Sequence, residues 1–206
     1  VLAETLRDFD NVKVVQADVM EVDLHQLIHD EFSGLDVLVC ANLPYYITSP
    51  VIMKLLEEKL PVESLTVMVQ KEAAVRICAA PGTRACGAVS VAVQYYSQPQ
   101  ILFDVPRDCF FPAPNVDSAV IRLNIRTEPP VKLETEEKQF FKLVKAAFGQ
   151  RRKTVLNSLS AGLGKSKEEL SAALQQAGIA PTARAEQLTM EQFGTLCNLL
   201  FPNKAQ

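Results

Sequence analysis

The sequence predicts an α/β fold in which a parallel sheet is finished by an antiparallel hairpin and followed by a smaller all-α region. Three observations carry this. Up to about residue 70, short runs of β-branched and aliphatic residues alternate with stretches whose apolar residues recur at helical spacing. Between residues 90 and 125 the strand-like runs come close together. Beyond the linker Thr127-Glu128-Pro129-Pro130 only helical spacings remain. The expected division is 1–128 for the sheet domain and 129–206 for the helical one.

In chain order, Val1, Leu2, Leu6 and Phe9 mark a helix closed by the turn residues Asp10 and Asn11. Val12-Lys13-Val14-Val15 reads as a strand, with Asp18 just past its carboxyl end. Leu24, Leu27, Ile28 and Phe32 form one face of a second helix, and Asp36 to Ala41 reads as a buried strand. Ser49 followed by Pro50 predicts an N-cap with proline at the first helical position, opening a helix that buries Val51, Ile52, Leu55 and Leu56. Leu65 to Gln70, Ser90 to Tyr96 and Ala119 to Ile125 read as further strands. Pro81-Gly82-Thr83-Arg84 is a turn, and Phe110 to Ser118 is a proline-stiffened loop that holds aromatic rings near the surface. After the linker, helices are expected over about 136–148, 151–160, 167–177 and 190–201. Ser166 with Glu169, and Thr189 with Gln192, have capping-box spacing.

The stretch Asn42-Leu43-Pro44-Tyr45-Tyr46-Ile47 lies between a strand and a helix, where open α/β sheets bind their ligands. Asn42 offers a side-chain acceptor, Leu43 a carbonyl held by the fixed φ of Pro44, and Tyr45 a flat face. Two acceptors beside a ring suit a planar base with an exocyclic amine swung out of its helix. A polar turn whose tyrosines cover the core is the competing reading of the same residues. Asp18 has two readings as well, a carboxylate that accepts from a nucleoside cofactor and a plain turn former.

Composition narrows the classes. A formal net charge of −3 gives no global attraction to nucleic acid, so any such binding needs a local patch. From Lys142 to Lys167 every charged side chain is basic: Lys142, Lys145, Arg151, Arg152, Lys153, Lys165 and Lys167. That run reads as a phosphate-contacting surface, against the alternative of a solvated helix face. The five cysteines are scattered without C-x-x-C spacing, which predicts reduced thiols, a cytoplasmic-type compartment and no zinc site. His25 and His29 are four apart but no third ligand accompanies them. Gly162-Leu163-Gly164-Lys165-Ser166 resembles the end of a phosphate loop, yet position 159 is Leu and no strand precedes it, so it reads as a helix C-cap followed by an N-cap. No apolar stretch approaches a membrane span, and the opening residues resemble no signal or transit peptide.

Taken together, Asn42 through Pro50 resembles the catalytic motif of the rRNA adenine dimethyltransferases of the KsgA type. Further matches follow in order at Val69-Gln70-Lys71-Glu72 with Arg76, Ser90-Val91 with Gln94-Tyr95-Tyr96, Phe110 through Ser118, Phe148 through Lys153, and Arg184 through Leu188. The resemblance implies a Rossmann-like class I methyltransferase sheet and transfer of methyl groups from S-adenosylmethionine to N6 of two adjacent adenines in a small-subunit rRNA hairpin. It implies that Asn42 and Leu43 orient the amine, with Pro44 in the same catalytic motif, that Tyr45 and Phe110 stack on the two faces of the adenine, and that Asp18, Val19 and Asn42 meet the cofactor. The region after residue 130 resembles the family's rRNA-docking domain, and within it the basic run makes Lys142, Lys145, Arg151, Arg152 and Lys153 the expected RNA contacts. A monomer is expected, with no metal and no membrane partner.

The chain departs from the pattern in two places. Cys86 stands before Gly87 where the family often carries an aromatic residue. The family's glycine-rich cofactor loop and its ribose-binding acid would precede Val1, so the chain reads as N-terminally truncated and is expected to bind S-adenosylmethionine weakly by itself and to be inactive alone. Two rival readings are a related adenine N6-methyltransferase acting on large-subunit rRNA or DNA, and a non-catalytic RNA-binding protein of ribosome assembly.

Overall fold

The computed structural model describes residues 1–202; the end of the expected helical domain, residues 203–206, lies outside the described residues. A four-stranded sheet, in the order β1-β2-β4-β3, is built from β1 (Leu38–Asn42), β2 (Ser64–Gln70), β3 (Ser97–Val105) and β4 (Ser118–Ile125). β1 and β2 are parallel, with Leu38 opposite Ser64 and Asn42 opposite Met68. β4 returns antiparallel between β2 and β3, placing Ser118 opposite both Gln70 and Val105. The parallel pair closed by an antiparallel hairpin is the arrangement the spacing of apolar runs predicts.

The helices of the first part are α1 (Leu2–Thr5), α2 (Leu24–Phe32), α3 (Thr48–Glu57), α4 (Lys71–Ile77) and α5 (Ala88–Tyr96). Leu65, Val67 and Val69 of β2 and Ala119, Ile121 and Leu123 of β4 are in cross-strand register, so alternation puts all six on one face. There they pack with Val51, Ile52, Leu55 and Leu56 of α3, Ile77 of α4 and Val93 of α5. A second core is formed by α6 (Glu137–Ala147), α7 (Val155–Leu163), α8 (Lys167–Gln176) and α9 (Met190–Leu200), with Phe140, Leu143, Leu159, Leu174, Phe193 and Leu196 inside. α5 serves both cores, since Val93 joins the sheet cluster while Val91 and Tyr95 join the helical one.

Several sequence expectations are corrected. Ser90 to Tyr96 is not a strand but most of α5, opened where the Gly87 N–H donates to Ser90 Oγ at 2.8 Å. Its Val91, Ala92, Val93 and Tyr95 are all buried, so the polar stripe that marks a surface helix is missing. The neighbouring strand is Ser97–Val105, which Pro99 and an exposed face conceal. Val12 to Val15 forms no strand; no described strand pairs with it, and a strand requires a ladder partner. The opening helix is shorter than expected, ending at Thr5. α3 begins at Thr48 with Ile47 as N-cap, so Pro50 lies within its first turn and Ser49 does not cap it.

In the helical region the boundaries move less. α7 starts at Val155 on the cap of Thr154, whose Oγ1 accepts from the Asn157 N–H at 3.4 Å, leaving Arg151 to Lys153 in the preceding turn. Gly164 ends α7 at φ +66°, the left-handed cap position that favours glycine. Thr189 and Gln192 form a reciprocal capping box. Ser166 is only half of one: its Oγ accepts from the Glu169 N–H at 3.1 Å, but the Glu169 carboxylate pairs with Lys165 instead of returning. Gly162 lies so close to α6 that an added Cβ would stand 2.7 Å from that of Ala146, which explains the small residues at this crossing.

Candidate active site

Asn42 is the last residue of β1, on the side of the strand that alternation turns outward with Leu38 and Cys40. Its side-chain amide makes no hydrogen bond among the described residues, and neither does the Leu43 carbonyl. Leu43 is buried, which anchors the turn. Pro44 holds φ −56° and its carbonyl accepts from the Ile47 N–H at 3.1 Å, closing the 3-10 turn Tyr45–Ile47. Within that turn Tyr46 is 85% exposed, while Tyr45 is half-buried with its hydroxyl 2.7 Å from that of Ser118.

The second loop at this edge is Pro106–Asp117. Phe110 is half-buried and Phe111 fully exposed. Asp117 closes the loop, its Oδ1 accepting from the Arg107 N–H and its carbonyl from the Lys71 N–H, both at 3.0 Å. Lys71 Nζ meets Asp104 Oδ2 at 2.6 Å, and that carboxylate holds the ammonium above its ordinary range. Gln70, Lys71, Arg107, Asn115 and Asp117 thus line a polar groove beside the motif. Asn42, Leu43, Pro44 and Tyr45 lie on one loop, Phe110 on the other, and the Tyr45–Ser118 contact ties the two loops to one sheet edge.

Asp18 sits in an exposed turn, where its Oδ1 accepts from the Met20 N–H at 2.8 Å and its carbonyl from the Glu21 and Val22 N–H groups. The turn-forming role is therefore present. Asp18 Oδ2 and the Val19 N–H nonetheless have no partner among the described residues, which leaves one acceptor and one donor side by side. Lys142 and Lys145 lie on the exposed side of α6, and Arg151, Arg152 and Lys153 in the turn before α7, all exposed. None of these five is in an ion pair among the described residues, whereas Lys13, Lys54, Lys59, Lys71 and Lys165 each are. Lys165 pairs with Glu169 and Lys167 lines a shallow groove with Lys153 and Asn157. His25 turns its Nε2 to the Glu58 carbonyl at 2.8 Å, a structural contact. Cys86 is buried in the helical core, where burial pushes its thiol up to about 11.

Sequence reasoning misses two residues here, Asp117 and Ser118, as holders of the loops. The readable signal is a polar pair set between the proline loop and an apolar strand, at the point where the chain re-enters the sheet.

A family model described as ribosomal RNA adenine dimethylase matches residues 1–201. The chain is 53% identical over 197 residues to the ribosomal RNA small subunit methyltransferase A of Alkaliphilus metalliredigens (strain QYMF), covering 95% of this chain and 68% of that protein. It is 50% identical over 206 residues to the protein of the same name from Geobacillus thermodenitrificans (strain NG80-2), covering 98% of this chain and 70% of that one. Among solved structures, the 23S rRNA methyltransferase ErmE matches at TM-score 0.65 and 25% identity, over 97% of this chain and 76% of that one. A dimethyladenosine transferase from Plasmodium falciparum shares the fold at TM-score 0.69 and 23% identity, over 93% of this chain and 73% of that one. No helix among the described residues is long and apolar enough to cross a membrane. With residues 1–201 matched by the family model and half the sequence shared with these relatives, the chain belongs to the ribosomal RNA adenine dimethylase family.

Proposed function

We propose that this enzyme transfers methyl groups to N6 of two adjacent adenines in small-subunit rRNA. The unbonded Asn42 amide and Leu43 carbonyl at the carboxyl end of β1 carry the reading. Polar groups with no internal partner, fixed on rigid backbone, are what a base amine can meet without first breaking a protein contact. Asn42 Oδ1 and the Leu43 carbonyl accept the two N6 hydrogens and turn the nitrogen lone pair toward the methyl donor. Tyr45 stacks on one face of the adenine and Phe110 on the other, holding it out of its helix. Orientation supplies the rate, since an amine aligned for in-line attack has already lost the freedom the uncatalysed reaction must give up.

The methyl donor is S-adenosylmethionine, whose sulfonium makes the methyl group electrophilic when it is bound. Asp18 Oδ2 and the Val19 N–H, without partners among the described residues, would hold the amine and a ring nitrogen of its adenine, and Asn42 is assigned to the same cofactor. The uncommitted cations Lys142, Lys145, Arg151, Arg152 and Lys153 grip rRNA phosphates. Division at 128/129 into methyltransferase and rRNA-docking domains, the small ribosomal subunit as partner, action as a monomer and a cytoplasmic location belong to the same proposal. The likeness to a 23S rRNA methyltransferase favours one alternative, the large subunit as substrate.

Methyl incorporation into separated, unmethylated ribosomal subunits tests this in the complete protein, cofactor loop included. Label is expected in the small subunit, as dimethyladenine, and Asn42→Ala should lower turnover by roughly 100-fold or more. Label in the large subunit alone would transfer the assignment there. Undiminished activity in Asn42→Ala would remove this site from catalysis.

A further inference from the structure

We propose that Ser118 is a positioning residue for the reaction, its buried hydroxyl fixing the Tyr45 ring as one wall of the slot that takes the target base. The inference rests on the function proposed above. Tyr45 follows β1, whereas Ser118 opens β4, and β2 runs between those strands. Strands lie about 4.8 Å apart, so the turn after β1 and the Tyr45 side chain together bridge about 10 Å of sheet edge to bring the hydroxyls within 2.7 Å. That contact holds the ring at its far end. Pro44 and the 3-10 turn hold it at the other.

The anchor itself is rigid. Ser118 is 0% exposed and begins the strand that has neighbours on both sides, paired to Gln70 and to Val105. Asp117, immediately before it, takes the Arg107 and Lys71 N–H groups and so fixes the loop that carries Phe110. One dipeptide at the head of β4 therefore sets both aromatic walls, Tyr45 through Ser118 and Phe110 through Asp117. A ring already held in place does not have to be ordered when the base arrives, and it keeps the base aligned during transfer.

A double-mutant cycle with Ser118→Ala and Tyr45→Phe, assayed in the complete protein, cofactor loop included, on unmethylated small subunits, tests this. Each single variant is expected to lower kcat by about tenfold, with KM for the subunit within about twofold, because the lost contact aligns the base and does not recruit the RNA. The double variant should be no slower than either single one, since both remove the same hydrogen bond. Wild-type kcat in both single variants, defects that multiply in the double, or a change confined to KM would each overturn the proposal. If Ser118→Ala loses its cooperative melting transition, Tyr45→Phe decides alone: it keeps the ring, and wild-type turnover overturns the idea while a tenfold loss supports it. Asn42→Ala run in parallel separates the two readings. If it abolishes methylation while both hydroxyl variants are normal, only Ser118's role falls; if it is fully active, the proposed function falls and this inference with it.

Discussion

The carboxyl edge of the sheet and the joint between α5 and α6 hold polar groups in opposite states. At the joint, the Glu137 carboxylate accepts from the Tyr96 hydroxyl at 2.7 Å and the Tyr95 hydroxyl at 3.4 Å, and pairs with Lys59 at 2.9 Å. Around it Tyr95 stacks on Phe140 with centroids 5.1 Å apart, and Tyr96 on Phe141 at 5.3 Å. At the sheet edge the Asn42 amide and Leu43 carbonyl have no partner among the described residues, and Tyr46 and Phe111 stand in solvent. Interactions already made internally stabilise the fold. Interactions left unmade there are available to a ligand. The joint should therefore respond to mutation in stability, and the edge in activity.

The largest expected effect follows from that contrast. Phe140 is fully buried at the joint, so Phe140→Ala should destabilise the protein by about 3–5 kcal/mol through lost burial and the cavity left behind. Chemical denaturation measures it. Asn42→Ala, for all its cost in turnover, removes an exposed side chain that makes no hydrogen bond among the described residues and should shift stability by no more than about 0.5 kcal/mol. A large stability loss in Asn42→Ala would break the comparison.

These two regions were also unequally legible in the sequence. The edge is written in local chemistry: a β-branched run, then Asn42, Leu43, Pro44 and Tyr45 in succession, so the strand, the turn and the acceptors can be read without knowing the rest of the fold. The joint depends on α5, and α5 reads as a strand because its apolar residues face two separate cores, Val91 and Tyr95 the helical one and Val93 that of the sheet. Only tertiary packing makes that segment helical in appearance; its local signal is the Gly87–Ser90 cap. The same limit hides Ser118, whose partner is 73 residues away in the chain. The basic run is legible as charge, but that Lys165 is paired while Arg151, Arg152 and Lys153 are in no ion pair among the described residues appears only in three dimensions.

An intermediate effect is expected at that basic turn, which shares the uncommitted character of the sheet edge without its chemistry. Replacing Arg151, Arg152 and Lys153 together with alanine should leave the melting temperature nearly unchanged, since all three are exposed and in no ion pair among the described residues. RNA affinity should fall and the slope of log affinity against log salt should flatten by about 2–3, roughly one unit per lost phosphate contact. Turnover at saturating RNA should survive. A salt slope identical to wild type would move the RNA-gripping surface elsewhere.

The smallest effect separates the regions by pH. Burial and the Glu137 carboxylate push Tyr95 up to about 12, and the same causes raise Tyr96. Burial also pushes the Cys197 thiol up to about 12 and that of Cys86 to about 11. All four belong to the helical core or pack against it. A group whose folded pKa lies above its unfolded value favours the protonated, folded state. Its contribution is complete below the unfolded pKa, from about 9 for the thiols, and is lost as pH rises through the folded value. Stability should therefore be level from neutrality to about pH 9 and decline from there toward pH 12. Thiol labelling along that titration follows the order of events: Cys40 and Cys109, exposed near the motif and the proline loop, react at neutral pH, whereas Cys86 and Cys197 become reactive only as the helical core opens. Early labelling of Cys197 at neutral pH would show that the joint is no more closed than the edge.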